Sequence, residues 1–144
     1  MVKQILVVCN NETMKDYLSG ILQKHFNPVF KSSSQEALLW LRMENLPDLI
    51  LMDVEDNQSD YLEFVSKLRK RAVNDLPLIL LSELKNYRAV LHCLQFGATD
   101  FITKPFFPEE LLDKINQILK PQAYPFRKMR HLPKLRPLSS PYLS

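Results

Sequence analysis

Short apolar runs alternate along this chain with segments whose apolar residues recur at helical spacing. The clearest runs, residues 5–8, 49–52 and 78–81, are continuous rather than alternating. Weaker strand candidates lie at residues 28–31 and 100–103. A continuous apolar run predicts a strand that is buried on both faces, so the pattern favours a parallel sheet covered by helices.

An amphipathic stripe follows each of the five strand candidates. Apolar residues at this spacing predict helices that pack one face on the sheet. The members of the stripes are Met14, Leu18, Ile21 and Leu22; Ala37, Leu38, Trp40 and Leu41; Leu62, Val65 and Leu68; Val90, Leu91 and Leu94; and Leu111, Leu112, Ile115, Ile118 and Leu119. The repeated strand-helix order predicts an α/β fold, a single (βα)5 doubly wound parallel sheet with strand order 2-1-3-4-5.

Local signals place two of the helix starts. Ser33, followed three residues later by Glu36, is a capping box for the second helix, and Pro108 before two glutamates suits the first turn of the fifth. We interpret Trp40 and the aromatic pair at 106–107 as core or helix-packing residues.

The C-terminal segment differs in composition from the rest of the chain. Residues 121–144 hold five prolines and five of the 19 lysines and arginines but no acid, so residues 1–120 carry fourteen bases against 16 acids. We therefore predict one folded domain over 1–120 and a basic, Pro-rich and largely disordered tail over 121–144.

Cysteine usage and hydropathy indicate a soluble intracellular protein. Cys9 and Cys93 are more simply interpreted as reduced thiols than as a disulfide. The first apolar run is too short for a secretory signal, and no window has the length of a membrane span, so we expect no contact with a membrane.

Polar side chains follow the strands at the edge where a doubly wound sheet carries its sites. Cys9 and Asn10 follow the first strand, Asp53 the third, Ser82 the fourth and Lys104 the fifth. An acid, a hydroxyl and a lysine are therefore expected to converge.

This constellation resembles the receiver domain of two-component response regulators, a flavodoxin-like fold. The resemblance covers residues 3–120. It rests on "PDLILMD" ending in Asp53, "LPLILLS" ending in Ser82, and "GATDFITKPF" containing Lys104 and Pro105.

The resemblance implies a role for each of these residues. Asp53 matches the carboxylate that accepts a phosphoryl group as a nucleophile. Ser82 matches the hydroxyl that binds this group, and Lys104 the lysine that neutralises its charge. Phe101 matches the aromatic switch residue, and the bond before Pro105 is expected to be cis.

The metal site of the family is incomplete in this sequence. In relatives Mg²⁺ is held by the phosphoacceptor, here Asp53, by a backbone carbonyl, here that of Glu55, and by two acids after the first strand. Cys9 and Asn10 stand at the acidic positions, and a shift of register by one residue yields two asparagines. Because Mg²⁺ prefers charged oxygen ligands, we expect its binding to be weakened.

Other positions bear on the same site. Glu12 and Glu55 offer carboxylates that would partly replace the missing pair. Tyr61 stands where relatives have a small residue, and Glu83 follows Ser82 where they also keep a small one, so it would crowd or repel a phosphoryl donor.

Three functions remain open. The first is a receiver in a phosphorelay, phosphorylated on Asp53 and regulating a downstream output, with transcription the commonest in the family. The second is a pseudo-receiver, a phosphorylation-independent protein-interaction module. The third, an enzyme on the same scaffold, is disfavoured because "CNNETM" is not a Gly- or Ser/Thr-rich phosphate loop.

The resemblance also implies partners and a location. We expect a sensor histidine kinase or phosphotransfer protein, and an output protein or a second copy on the face of the fourth helix, fifth strand and fifth helix. The basic tail is a further candidate for binding nucleic acid. The expected location is the cytoplasm, or the plastid stroma if the chain is organelle-encoded.

Overall fold

The five predicted strands form one parallel sheet. The structure, a computed structural model, describes residues 2–55, 60–70 and 75–120, so the predicted tail lies outside the described residues. The strands are β1 (Gln4–Val8), β2 (Asn27–Lys31), β3 (Leu49–Asp53), β4 (Leu78–Ser82) and β5 (Asp100–Thr103). Their order, β2-β1-β3-β4-β5, confirms the predicted doubly wound topology.

Five helices connect and follow the strands. They are α1 (Glu12–Leu22), α2 (Ser34–Arg42), α3 (Asp60–Arg69), α4 (Tyr87–Gln95) and α5 (Pro108–Leu119). A single 3-10 turn, Leu84–Asn86, precedes α4 and was not predicted. Within the described ranges, the helices are all too short or too polar to cross a membrane.

The sheet is buried on both faces because its strands supply two cores. Along β1, Ile5 and Val7 face the core shared with α1 and α5, whereas Leu6 and Val8 face the core shared with α2, α3 and α4. Successive strand residues point to opposite faces, so both sets must be apolar. This two-sided burial accounts for the continuous apolar runs.

The predicted helix stripes face the observed cores, but they left out some buried residues. Phe64 on α3 is completely buried although the predicted stripe omitted it. Phe106 is buried and Trp40 half-buried, as expected, but Phe107 is 73% exposed. The prediction for Phe107 was wrong, since this residue is the N-cap of α5 and is exposed to solvent rather than part of the core.

Side-chain caps are present at the start of α2 and of α1. The local sequence predicted the cap of α2. Ser33 Oγ accepts a hydrogen bond from the Glu36 N–H at 3.1 Å, and the Glu36 carboxylate accepts one from the Ser32 N–H at 3.1 Å. Asn11 Oδ1 accepts from the Met14 N–H at 2.9 Å. Asn11 is therefore occupied in capping α1.

Candidate functional site

The carboxyl ends of β3, β4 and β5 bring the predicted site residues to one edge of the sheet. Asp53 ends β3 and pairs in register with Leu81 of β4, directly before Ser82. Lys104 follows β5, and its N–H donates to the Ser82 carbonyl at 2.8 Å. Parallel strands present the same end at the same edge, so convergence follows from topology.

Asp53 and Lys104 form a buried ion pair. Lys104 Nζ lies 2.5 Å from Asp53 Oδ1. The Asp53 side chain is 1% exposed and that of Lys104 14%. Since a buried carboxylate without a partner is costly, the Lys104 ammonium offsets part of the cost of burying Asp53.

The second oxygen of Asp53 faces a thiol. Cys9 Sγ donates to Asp53 Oδ2 at 3.6 Å and also lies 3.5 Å from the Asn11 carbonyl oxygen. Burial, reinforced by the negative charge of Asp53, raises the pKa of Cys9 to about 11. Cys9 is therefore a neutral, weak donor rather than a substitute for a carboxylate.

Ser82 and Phe101 occupy positions that suit the roles implied by the resemblance. Ser82 is 2% exposed, and its hydroxyl donates to the Glu83 carbonyl at 3.0 Å. Phe101 on β5 is half-buried against the core beneath α4. The bond between Lys104 and Pro105 is cis, as expected.

A pocket of about 540 Å³ opens at this edge of the sheet. Its walls are formed by Asn11, Thr13, Met14, Tyr17, Asp53, Glu55, Glu83 and Lys104. Tyr17 was not anticipated as a wall residue, because its only sequence signal is an aromatic at the edge of the first helical stripe. Its hydroxyl donates to the Phe106 carbonyl at 2.8 Å, which ties α1 to the segment after β5.

The backbone carbonyl expected to bind Mg²⁺ already has a partner. The Tyr61 hydroxyl donates to the Glu55 carbonyl oxygen, with 2.5 Å between the two oxygens, and accepts from the Glu55 N–H. The Tyr61 side chain itself is buried on α3, at 6% exposure. The carbonyl of Glu55 is thus engaged by a fixed aromatic residue.

Of the remaining candidate metal ligands, Glu55 is half-buried and lines the pocket, whereas the other two are exposed. Asn10 is exposed. The Glu12 carboxylate is 82% exposed and lies 3.5 Å from Lys15, so it is not placed to replace the missing acids. In the part of the chain that the structure describes, no group of three or more His, Cys, Asp or Glu is arranged to hold a metal ion. The residues present do not fit a resident Mg²⁺ ion, which prefers an octahedral set of charged oxygens.

Comparison with known proteins agrees with this geometry. Residues 5–116 match the family model of the response regulator receiver domain. The chain is 31% identical to the phosphate regulon transcriptional regulatory protein PhoB of Klebsiella pneumoniae over 122 residues, which are 83% of this chain and 53% of PhoB. The chain therefore spans about half the length of that relative.

Two solved structures share the architecture. The signal receiver domain of a histidine kinase from Syntrophus aciditrophicus has a TM-score of 0.74 and 28% identity, with 85% of this chain and 97% of that chain covered. The receiver domain of the sensor histidine kinase PA1611 from Pseudomonas aeruginosa, which holds a magnesium ion in its active-site cleft, has a TM-score of 0.75 and 21% identity, with 84% and 100% covered. With its fold, its edge-of-sheet Asp-Ser-Lys site and its match over residues 5–116, the chain belongs to the family of response regulator receiver domains.

Proposed function

We propose that this receiver accepts a phosphoryl group on Asp53 in a two-component phosphorelay. The observation that carries the proposal is the ion pair between Asp53 and Lys104, 2.5 Å apart in the wall of an open pocket. A buried carboxylate with an ammonium group in direct contact suits a group that must gain further negative charge.

The chemistry is a transfer between two nucleophiles. An Asp53 oxygen attacks phosphorus, the bond from phosphorus to the donor's imidazole nitrogen breaks, and an acyl phosphate forms. The donor ring, protonated on its other nitrogen before transfer, takes the electron pair of that bond and leaves as neutral imidazole. The Lys104 ammonium neutralises the transferred group. The Ser82 hydroxyl, which now donates to the Glu83 carbonyl, turns to donate to a phosphoryl oxygen.

The proposed signal leaves through β5. Phe101, on the strand that leads to Lys104, packs against the core beneath α4, whereas the neighbouring Asp100 contacts the Lys114 ammonium of α5 at 2.9 Å. We propose a histidine kinase or phosphotransfer protein as the donor, and an output that regulates transcription, as the name of PhoB indicates for that protein. A cytoplasmic or stromal location stays a prediction.

Intact-mass measurement after incubation of the full chain with acetyl phosphate tests the proposal. We expect one added phosphoryl group, released by hydroxylamine as acyl phosphates are, and lost in Asp53→Asn. Asp100→Asn is the matched control, since it removes a half-exposed carboxylate from the neighbouring strand β5 and leaves the pocket intact. An adduct that persists in Asp53→Asn would contradict the assignment of Asp53.

A phosphorylation-independent interaction module is the second candidate. It is favoured because the polar groups of the site already have partners within the protein. Lys104 contacts one oxygen of Asp53, Cys9 contacts the other, and the Ser82 hydroxyl donates to a backbone carbonyl. Absence of any adduct from acetyl phosphate, in a chain whose circular dichroism shows that it is folded, would decide for this candidate.

A further inference from the structure

A tyrosine of α3 contacts the backbone carbonyl that the family resemblance assigns to the metal. Tyr61, in the first turn of α3, reaches back to Glu55 and bonds both its carbonyl oxygen and its N–H through one hydroxyl. The ring is 6% exposed and belongs to the core shared with Val54 and Val65. Because packing holds the ring, the hydroxyl is not free to leave with a small side-chain rotation.

A divalent cation at Asp53 would have to displace this contact. A magnesium ligand must approach the ion at roughly 2.0–2.1 Å in near-octahedral geometry. The Tyr61 hydroxyl already occupies one acceptor direction of the Glu55 carbonyl oxygen. A cation at this oxygen therefore competes with the hydrogen bond from Tyr61.

The charge beside Asp53 points in the same direction. The Lys104 ammonium contacts one oxygen of the carboxylate, and the neutral Cys9 thiol faces the other. Neither the Lys104 ammonium nor the Cys9 thiol adds negative charge that would attract a second cation to Asp53. Glu55 and Glu83 line the pocket, but Glu83 is paired with Lys85 at 3.9 Å, with 55% of its side chain exposed to solvent.

We propose that Tyr61 is a positioning residue that closes the metal position, so that the Asp53 site operates with the Lys104 ammonium as its cation and without Mg²⁺. The closed metal position does not depend on the proposed function. The independence of phosphoryl acceptance from Mg²⁺ rests on the proposed function.

Titration of the full chain with MgCl₂ tests whether the metal position is closed. Binding is followed by calorimetry and by the backbone amide signals of Val54 and Glu55. We expect no saturable binding by the wild-type chain at millimolar Mg²⁺. Tyr61→Phe keeps the ring but removes the hydroxyl, and it should bind Mg²⁺ about tenfold more tightly than the wild type, whose weak binding is measured from the slope of its unsaturated titration. Tenfold is the factor expected when one neutral hydrogen bond to the carbonyl need not be broken.

Two control variants make the result specific. Tyr17→Phe removes a hydroxyl from the same pocket, but one that is bonded to the Phe106 carbonyl, and it should bind Mg²⁺ as the wild type does. Asp53→Asn should abolish the gain in a double variant with Tyr61→Phe. Saturable wild-type binding that Asp53→Asn removes would overturn the proposal, as would equal affinity of Tyr61→Phe and the wild type.

The independence of phosphoryl acceptance from Mg²⁺ is tested by the rate of adduct formation with acetyl phosphate in MgCl₂ and in EDTA. We expect equal rates for the wild type, whereas a rate that collapses in EDTA would overturn it. A chain that forms no adduct in either buffer contradicts the proposed function, while the MgCl₂ titration still decides the role of Tyr61. If Tyr61→Phe does not fold, Tyr61→Leu, which also lacks the hydroxyl, replaces it in the titration.

Discussion

Replacing Lys104 with methionine removes the only charged partner that the described structure gives the Asp53 carboxylate. Methionine keeps most of the length and apolar volume of the lysine stem, so the change is mainly one of charge. The Asp53 side chain is 1% exposed and cannot turn to solvent without movement of β3. We expect Lys104→Met to destabilise the chain.

The magnitude follows from the burial of the two partners. Removing one partner of a buried ion pair costs about 3 to 5 kcal/mol. Lys104 is 14% exposed and the pocket admits water, which favours the lower end, about 3 kcal/mol. With a urea m-value of roughly 2 kcal/mol/M, the midpoint of unfolding should fall by about 1.5 M.

Urea unfolding followed by circular dichroism measures this shift, and the chain offers a matched control. Lys114 contacts Asp100 at 2.9 Å, but its side chain is 31% exposed and that of Asp100 38%. Lys114→Met should therefore cost less than about 1 kcal/mol. The double variant Asp53→Asn/Lys104→Met should recover most of the loss, because no buried charge is left unpaired. A midpoint for Lys104→Met no lower than that of Lys114→Met would refute the reasoning.

Further predictions concern backbone conformation and the two thiols. Gly97 has φ of +122°, and a Cβ there would lie 2.7 Å from Arg69 Cγ; Gly97→Ala should cost about 1 to 3 kcal/mol in urea unfolding. Gly20→Ala, in open space on α1, should instead stabilise by about 0.5 to 1 kcal/mol, and equal effects of the two would contradict this contrast. Burial raises the pKa of Cys9 and of Cys93 to about 11 from an ordinary value of 9.0. Between these pH values the unfolded chain carries thiolates and the folded chain thiols, so the free energy of unfolding should fall as pH rises. For the same reason iodoacetamide should label the folded chain far more slowly than the unfolded chain. Labelling at the same rate in buffer and in denaturant would contradict this prediction.

The hydrophobic pattern was enough to predict the strands and their parallel arrangement. A strand covered on both faces must be apolar at every position, so β1, β3 and β4 stand out as continuous runs. The most deeply buried residues of the helices were harder to predict. On α3, apolar residues at 61, 62, 64, 65 and 68 cover so much of the helix surface that the sequence does not show whether Leu62 or Phe64 is the more deeply buried.

The candidate site was predictable where it depends on topology. Asp53, Ser82 and Lys104 follow three strands of one parallel sheet, and such strands all end at the same edge. Their contacts were not predictable in the same way. The pairing of Cys9 with Asp53 needs the two side chains to point toward one another, which depends on strand register and rotamers.

By itself the sequence determined the sheet, the edge that carries the site and the absence of the usual acidic pair, because these depend on the order and type of residues along the chain. Tertiary structure alone decided what contacts the Glu55 carbonyl. Tyr61 and Glu55 lie on either side of a loop, and only the packing of α3 on the sheet brings the tyrosine hydroxyl to the Glu55 backbone. Long-range packing directs side chains, and no local pattern encodes it.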